Sequence, residues 1–176
     1  SDSSFLGYRA GYEATDATSS FFAGNQAGYQ AYGANTSVFI GNQAGYNDSG
    51  TLDFLTTASN PFGFGGGSNF IGYQAGYGAE GAAQSTFMGT QAGYFNDGAV
   101  GATMIGFQAG KSASPMGYTV LTEVFSMPML IGNNFGSTIV GTFAGSQNSN
   151  SANDVLIGNI AGQDSIDIKD SIAIGT

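Results

Sequence analysis

The sequence contains no cysteine, no histidine and no tryptophan, and only three cationic side chains, Arg9, Lys111 and Lys169. Without cysteine and histidine there are no disulfides, no thiolate or imidazole metal sites, and no Ser-His or Cys-His nucleophile pairs. Lack of cysteine leaves the compartment open, because extracellular fibres can do without it. Twelve Asp and Glu residues against three cations leave a net charge of −9. Such a surface repels phosphate, so neither nucleic acid nor an anionic membrane is an expected partner. No uninterrupted apolar run approaches the roughly 20 residues of a membrane helix, so membrane insertion is not expected. Ser1-Asp2-Ser3-Ser4 lacks the basic start of a signal peptide, and any export signal is expected to be already gone.

Charged residues make up only 9% of the chain, against 41% hydrophobic residues that include 14 Phe and nine Tyr. A disordered chain has the opposite balance. The 176 residues suit one ordinary domain or one elongated solenoid.

What the chain does have is 30 glycines, set in a repeat. Two apolar residues precede a lead glycine, and in the clearest units an Ala-Gly pair follows three residues later. Examples are Phe5-Leu6-Gly7 with Ala10-Gly11, Phe39-Ile40-Gly41 with Ala44-Gly45, and Phe87-Met88-Gly89 with Ala92-Gly93. The lead glycines stand at 7, 24, 41, 72, 89, 106, 132, 141, 158 and 175, so six of the nine steps are 17 residues. A period this short means one small unit per repeat, stacked on its neighbours because no unit can bury its apolar side alone.

The unit reads as strand rather than helix. Two glycines per unit would cost a helix about 1 kcal/mol each relative to Ala. Ahead of the lead glycine the apolar pattern is two-fold. The residues one and three places before it share a strand face, and the Phe column two places before it points the other way. Glycine and Ala-Gly steps then provide sharp corners, so each unit reads as strand, tight corner, short second strand and polar return.

Stacked coils place like residues over like at about 4.8 Å. Three ladders are expected: Phe5, Phe22, Phe39, Phe70 and Phe87; Gln26, Gln43, Gln74, Gln91 and Gln108; and Tyr12, Tyr29, Tyr46, Tyr77 and Tyr94. Phe rings pack, Gln amides chain hydrogen bonds along the axis, and the Ala-Gly column keeps the corner thin. Both strand faces are apolar, although a solenoid coil needs only one buried face. Either the coil is flattened so that both are covered internally, or one face meets another subunit. The Phe column is expected at such an interface, since a row of exposed Phe would be an unusually large apolar patch.

A longer period overlies the short one. The steps 41 to 72 and 106 to 141 span 31 and 35 residues, which separates three blocks of three regular coils. The two inserts share a Ser-x-Pro after an apolar run, Ser59-Asn60-Pro61 and Ser126-Met127-Pro128, and proline confines it to an edge or corner. Loops on a rigid scaffold are the usual place for recognition. The expected layout is a single domain over 1–176: regular coils 1–46, insert 47–69, regular coils 70–111, insert 112–129 and coils 130–176.

Both terminal units look like interior ones. Phe5, Leu6, Ile172 and Ile174 would lie on open sheet edges, which invite head-to-tail addition, and a contact of that kind that does not close gives a filament.

The units 37–46 and 68–77, with their Phe-Ile-Gly-x-Gln-Ala-Gly-Tyr core, and Asp170-Ser171-Ile172-Ala173-Ile174-Gly175 resemble head repeats of trimeric autotransporter adhesins. They also resemble the Gly-rich repeat tracts of bacterial and phage tail-fibre-like proteins. The likeness covers most of the chain outside the inserts. It implies trimers of parallel β-rolls that serve surface display and adhesion, with one strand face lining the roll and the other the subunit contact.

Other chemistry finds little support in the sequence. The acids are scattered in the returns rather than set at one place per repeat, as a Ca²⁺-binding roll requires; Asp164, Asp167 and Asp170 form the one cluster to examine. Asn35-Thr36-Ser37 and Asn47-Asp48-Ser49 match the glycosylation pattern. Neither Gly63-Phe64-Gly65-Gly66-Gly67 nor Gly7-x-x-x-Gly11 is followed by the Lys-Ser/Thr of a phosphate loop.

The expectation is therefore an all-β, parallel β-solenoid (β-roll) of about ten or eleven coils and about 50 Å in length. It would be non-enzymatic, without metal or cofactor, and extracellular or on a cell or virion surface. Its function would be that of a structural, adhesin-like subunit of a self-assembling fibre, with copies of itself as partners, head to tail or as trimers. Self-assembly would use Phe5, Phe22, Phe39, Phe70, Phe87, Ile172 and Ile174. The alternative is a monomeric binding module that offers Tyr12, Tyr29, Tyr46, Tyr77 and Tyr94 to surface glycans, or a flat face to ice.

Overall fold

The lead glycines sit where the backbone is forced to turn. In a computed structural model, which describes residues 2–48, 67–79, 82, 84–96, 99, 101–112, 136–148, 152–166 and 170–175, every lead glycine among the described residues is preceded by a three-residue strand. The strands are β1 Ser4–Leu6, β2 Phe21–Ala23, β3 Val38–Ile40, β4 Asn69–Ile71, β5 Thr86–Met88, β6 Thr103–Ile105, β7 Thr138–Val140, β8 Val155–Ile157 and β9 Ile172–Ile174. They form one parallel nine-stranded sheet in chain order, a β-solenoid. Among the described residues there is no helix, and so none long and apolar enough to cross a membrane.

Every pairing keeps the same register, so the residue before each lead glycine lies over its counterpart in the next coil. β3 pairs directly with β4 and β6 with β7, so the long steps add no rung to the sheet. Among the described residues the stack therefore has nine rungs, against the ten or eleven coils expected for the whole chain, and spans about 38 Å from first to last. The strand expected before Gly132 lies outside the described residues. Most of inserts 47–69 and 112–129, with 130–135, lies outside the described residues.

After the strand the chain does not form the expected second strand. Three overlapping turns take its place, closed in the third coil by Ala44 N–H to Gly41 C=O, Tyr46 N–H to Gln43 C=O, and Asp48 N–H to Gly45 C=O. Each turn has its third residue at positive φ: Gln43 at 56°, Gly45 at 62° and Asn47 at 52°, as a type II turn requires. The alternate amides reach other coils instead: Gly41 N–H bonds Ala23 C=O, Gln43 N–H bonds Asn25 C=O, and Gly45 N–H bonds Ala75 C=O. Turn and ladder bonds thus share the backbone donors residue by residue, which meets the need to pair buried backbone. Among the described residues, isolated bridging such as Thr15–Tyr32 is what remains of a second strand.

The interior is narrow. The middle residue of each strand points inward, and Phe22, Phe39, Phe70, Phe87, Met104, Ile139 and Leu156 are fully buried. Across the coil they meet small residues, such as Ala27, Ala31 and Ala34 opposite Phe22 in the second coil. Successive Phe rings stack nearly parallel at 4.7–4.8 Å. The expectation that the Phe column meets another subunit is therefore corrected: Phe22, Phe39, Phe70 and Phe87 are core. One ring per coil fills a lumen whose far wall is alanine and glycine. At Gly45 even a methyl group would fall 2.5 Å from the Phe39 ring.

Candidate functional site

With Phe inside, the other strand face is left outside. The last strand position carries Leu6, Ala23, Ile40, Ile71, Met88, Ile105, Val140, Ile157 and Ile174, and the first carries mainly Thr and Val. Ile40, Met88, Ile105 and Ile157 are 37–42% exposed although they lie within the stack. Neither column contains a charged residue, so this face is an uncharged, largely apolar strip. Sequence reasoning recognised two apolar faces and assigned the wrong one to the interior.

Phe5, Ile172 and Ile174, the other residues expected in self-assembly, lie on the two outermost rungs. Phe5 is 48% exposed where its stacked counterparts are at 0%, and Ile172 and Ile174 are 74% exposed. Each lacks a neighbouring rung on one side.

The turns carry two rows. Gln43, Gln74, Gln91 and Gln108 each donate an amide Nε2–H to the Oε1 of the preceding glutamine at 2.6–3.1 Å, an amide ladder of the expected kind. These glutamines are also the left-handed residues of their turns, with φ of 53–56°. Tyr12, Tyr29, Tyr46, Tyr77 and Tyr94 stack with ring centres 4.8–5.3 Å apart and planes within 17°. Their faces therefore cover one another. Arg9 lies 5.6 Å from the Tyr12 ring centre, and Lys111 lies 5.3 Å over Tyr94 while donating to Gln91 Oε1. A sugar has no open ring face at Tyr29, Tyr46 or Tyr77, although the row is half-exposed at its edge.

One polar ladder went unread in the sequence. Serine recurs four residues before the lead glycine, at Ser3, Ser20, Ser37, Ser68, Ser85, Ser137 and Ser171. Ser20 Oγ donates across its coil to Ala34 C=O at 2.5 Å and accepts the Ser37 N–H of the next coil at 3.2 Å. Ser68 and Ser85 bond Ala82 and Ala99 C=O in the same way. The periodic serine was itself the available signal.

Two buried carboxyls interrupt this order. Asp154 takes a place in the serine column; its Oδ1 accepts Ser171 N–H at 2.9 Å, while Oδ2 has no partner among the described residues. Burial raises its pKa, backbone hydrogen bonds from Ser171 and Ala152 lower it, and nearby Asp170 adds to the rise. Asp48 is almost fully buried, its Oδ1 has no described partner, and burial holds its pKa well above the ordinary 3.8. Asn96 occupies the equivalent place two rungs on and donates Nδ2–H to Gly110 C=O at 2.7 Å.

A carboxylate has no proton to donate in that way, so the fold favours neutral Asp48. Its penalty is absent below the ordinary carboxylate pKa and grows as pH rises from there through the raised value. Asp48→Asn is expected to stabilise the protein at neutral pH by about 1–3 kcal/mol, the cost of an unsatisfied buried polar group. The substitution should leave acid stability nearly unchanged. Urea unfolding at acid and neutral pH measures both; an unaltered pH slope in the variant would show that Asp48 is not its source.

Of the acidic cluster, Asp164 and Asp170 are exposed, Asp170 accepts from Asn153 Nδ2 at 3.1 Å, and Asp167 lies outside the described residues. Among the described residues no three acids come together in a way that could hold a metal ion. In the first glycosylation match Ser37 is buried in its ladder, and Asn35 Oδ1 accepts from Thr18; in the second, Ser49 lies outside the described residues. No protein-family model matches the chain, and neither a curated protein nor a solved structure matches it.

Proposed function

We propose that this chain is a structural subunit of an extracellular, adhesin-like fibre, and that its copies add end to end along the stack axis. One observation carries the reading: all eight strand pairings keep the same register. The top of a coil is therefore complementary to the bottom of any other coil. A copy set against β9 continues the sheet, the glycine column and the apolar columns without new chemistry. The contact is heterologous, so it propagates. The covered ring faces of the Tyr row favour this reading over a glycan-stacking module.

Electron micrographs of the isolated chain should show rods with an axial repeat near one stack length, about 38 Å between outer rungs plus one further rung spacing. Ile172→Asp with Ile174→Asp places charge on an exposed end and should shorten or abolish the rods while leaving the β-type circular dichroism intact. Unchanged rods in that variant, or a compact monomer of the unaltered chain at micromolar concentration, would remove the proposal.

A further inference from the structure

The outward face of the sheet obeys a rule that solvent exposure does not require. In most rungs the first strand position is the smaller and the last the larger: Ser4 with Leu6, Thr86 with Met88, Thr103 with Ile105. The second rung inverts the order. There the first position is Phe21, 39% exposed, and the last is Ala23. A larger residue on one column is met by a smaller one on the other in eight of the nine rungs, the outermost Ile172 and Ile174 being alike. Side chains facing water have no need of such compensation; side chains facing a packed partner do.

We propose that this face pairs with the same face of a second copy, related by a two-fold axis parallel to the stack. That operation lays the last-position column of one copy over the first-position column of the other. Ile105 then meets Thr103 of the partner subunit, and Phe21 meets Ala23 of the partner subunit, large on small at each place. A two-fold axis along the strands would instead lay each column on itself with the rungs in reverse order, setting Ile105 on Ile71 of the partner subunit, large on large. The second rung also selects the alignment along the stack. A slip of one rung drives Phe21 onto Leu6 or Ile40 of the partner subunit, and only the unslipped pairing gives it the small Ala23.

The size and charge of the face suit this occupant. Nine rungs make a strip roughly 40 Å long, and two columns with their side chains make it roughly 15 Å wide. That is on the order of 600 Å² in projection, near the ~800 Å² that a standard interface takes from each partner. On a chain of net charge −9 the strip carries no charge, so copies can meet there without facing like charges. Both stacks keep the same polarity, and the arrangement does not depend on end-to-end addition.

The test uses substitutions on the outward face, which leave the interior untouched. Ala23→Phe should weaken self-association in sedimentation equilibrium about ten-fold, because it overfills the place of the partner's Phe21. Adding Phe21→Ala to it exchanges the two sizes and should recover most of the loss. The chain has no cysteine of its own, so orientation is read by disulfide trapping. A mixture of Thr103→Cys and Ile105→Cys chains should cross-link under mild oxidation well above either chain alone. Retained circular dichroism in each variant confirms that the fold is unchanged. The proposal is overturned if Ala23→Phe leaves association unaltered, if the double variant is no better than the single, or if the mixture links no more than its components. Linked pairs without rods would keep it and remove the end-to-end reading instead.

Discussion

Replacing Phe39 and Phe70 together by serine is expected to unfold the chain rather than release smaller folded particles. Both rings are fully buried, stacked on each other at 4.8 Å, and faced across their coils by alanine. Losing one buried Phe costs about 3–5 kcal/mol, and two adjacent losses share one cavity, so they will not be independent. The sum rivals the whole 5–15 kcal/mol stability of an ordinary domain. Serine also leaves a hydroxyl in a site with no free partner of its own. Far-ultraviolet circular dichroism and sedimentation velocity measure the outcome. A soluble, smaller species with intact β signal would mean that the Phe column lies between subunits after all.

Gly41→Ala should be nearly as damaging, although it adds only a methyl group. That methyl would lie 2.3 Å from the carbonyl oxygen of Gly72 in the next coil, and the backbone there has φ of 137°. Neither atom can give way without breaking the register of the stack. The conformation is one that only glycine adopts readily. An expected loss of about 4 kcal/mol or more places it among the exceptional substitutions. Gly101→Ala is the matched control. Its φ is 68° and a methyl group there meets nothing within 4 Å, so it should cost only the left-handed backbone penalty of about 1–2 kcal/mol. Equal melting curves for the two variants would show that the close approach of the glycine column contributes nothing.

The same geometry explains which features were legible beforehand. The spacing of Gly7, Gly24 and Gly41 by itself determines a stack of equal coils. Identical spacing then places Gln43 beside Gln26 and Tyr46 beside Tyr29, because a parallel ladder with no offset superposes residues one period apart. The 31-residue and 35-residue steps announced two interruptions. That β3 would pair directly with β4 and β6 with β7 was not legible, since steps of 31 and 35 residues are long enough for a further coil.

The second strand was misread because an Ala-Gly step fits the corner of a strand pair as well as it fits a run of turns. Gln43 takes a left-handed φ that its residue type does not suggest, whereas Gly45 and Asn47 are of types that favour one. All three adopt it because alternate amides must reach both the same coil and its neighbours.

Which strand face is inside was likewise a matter for the tertiary structure alone. Alternation along Val38-Phe39-Ile40 divides the residues into two sides, but a period of two has no inward direction. The direction is set by where the turns close. Ala44, Gly45 and the small residues beyond them form the wall that Phe39 faces, and only that wall leaves room for an aromatic ring. Ile40 has no such wall, so it stays outside. Composition and spacing determined that this chain would be a ladder of thin coils with two apolar faces. The packing of one large ring against a wall of alanine and glycine decided which face became the core and which faces outward.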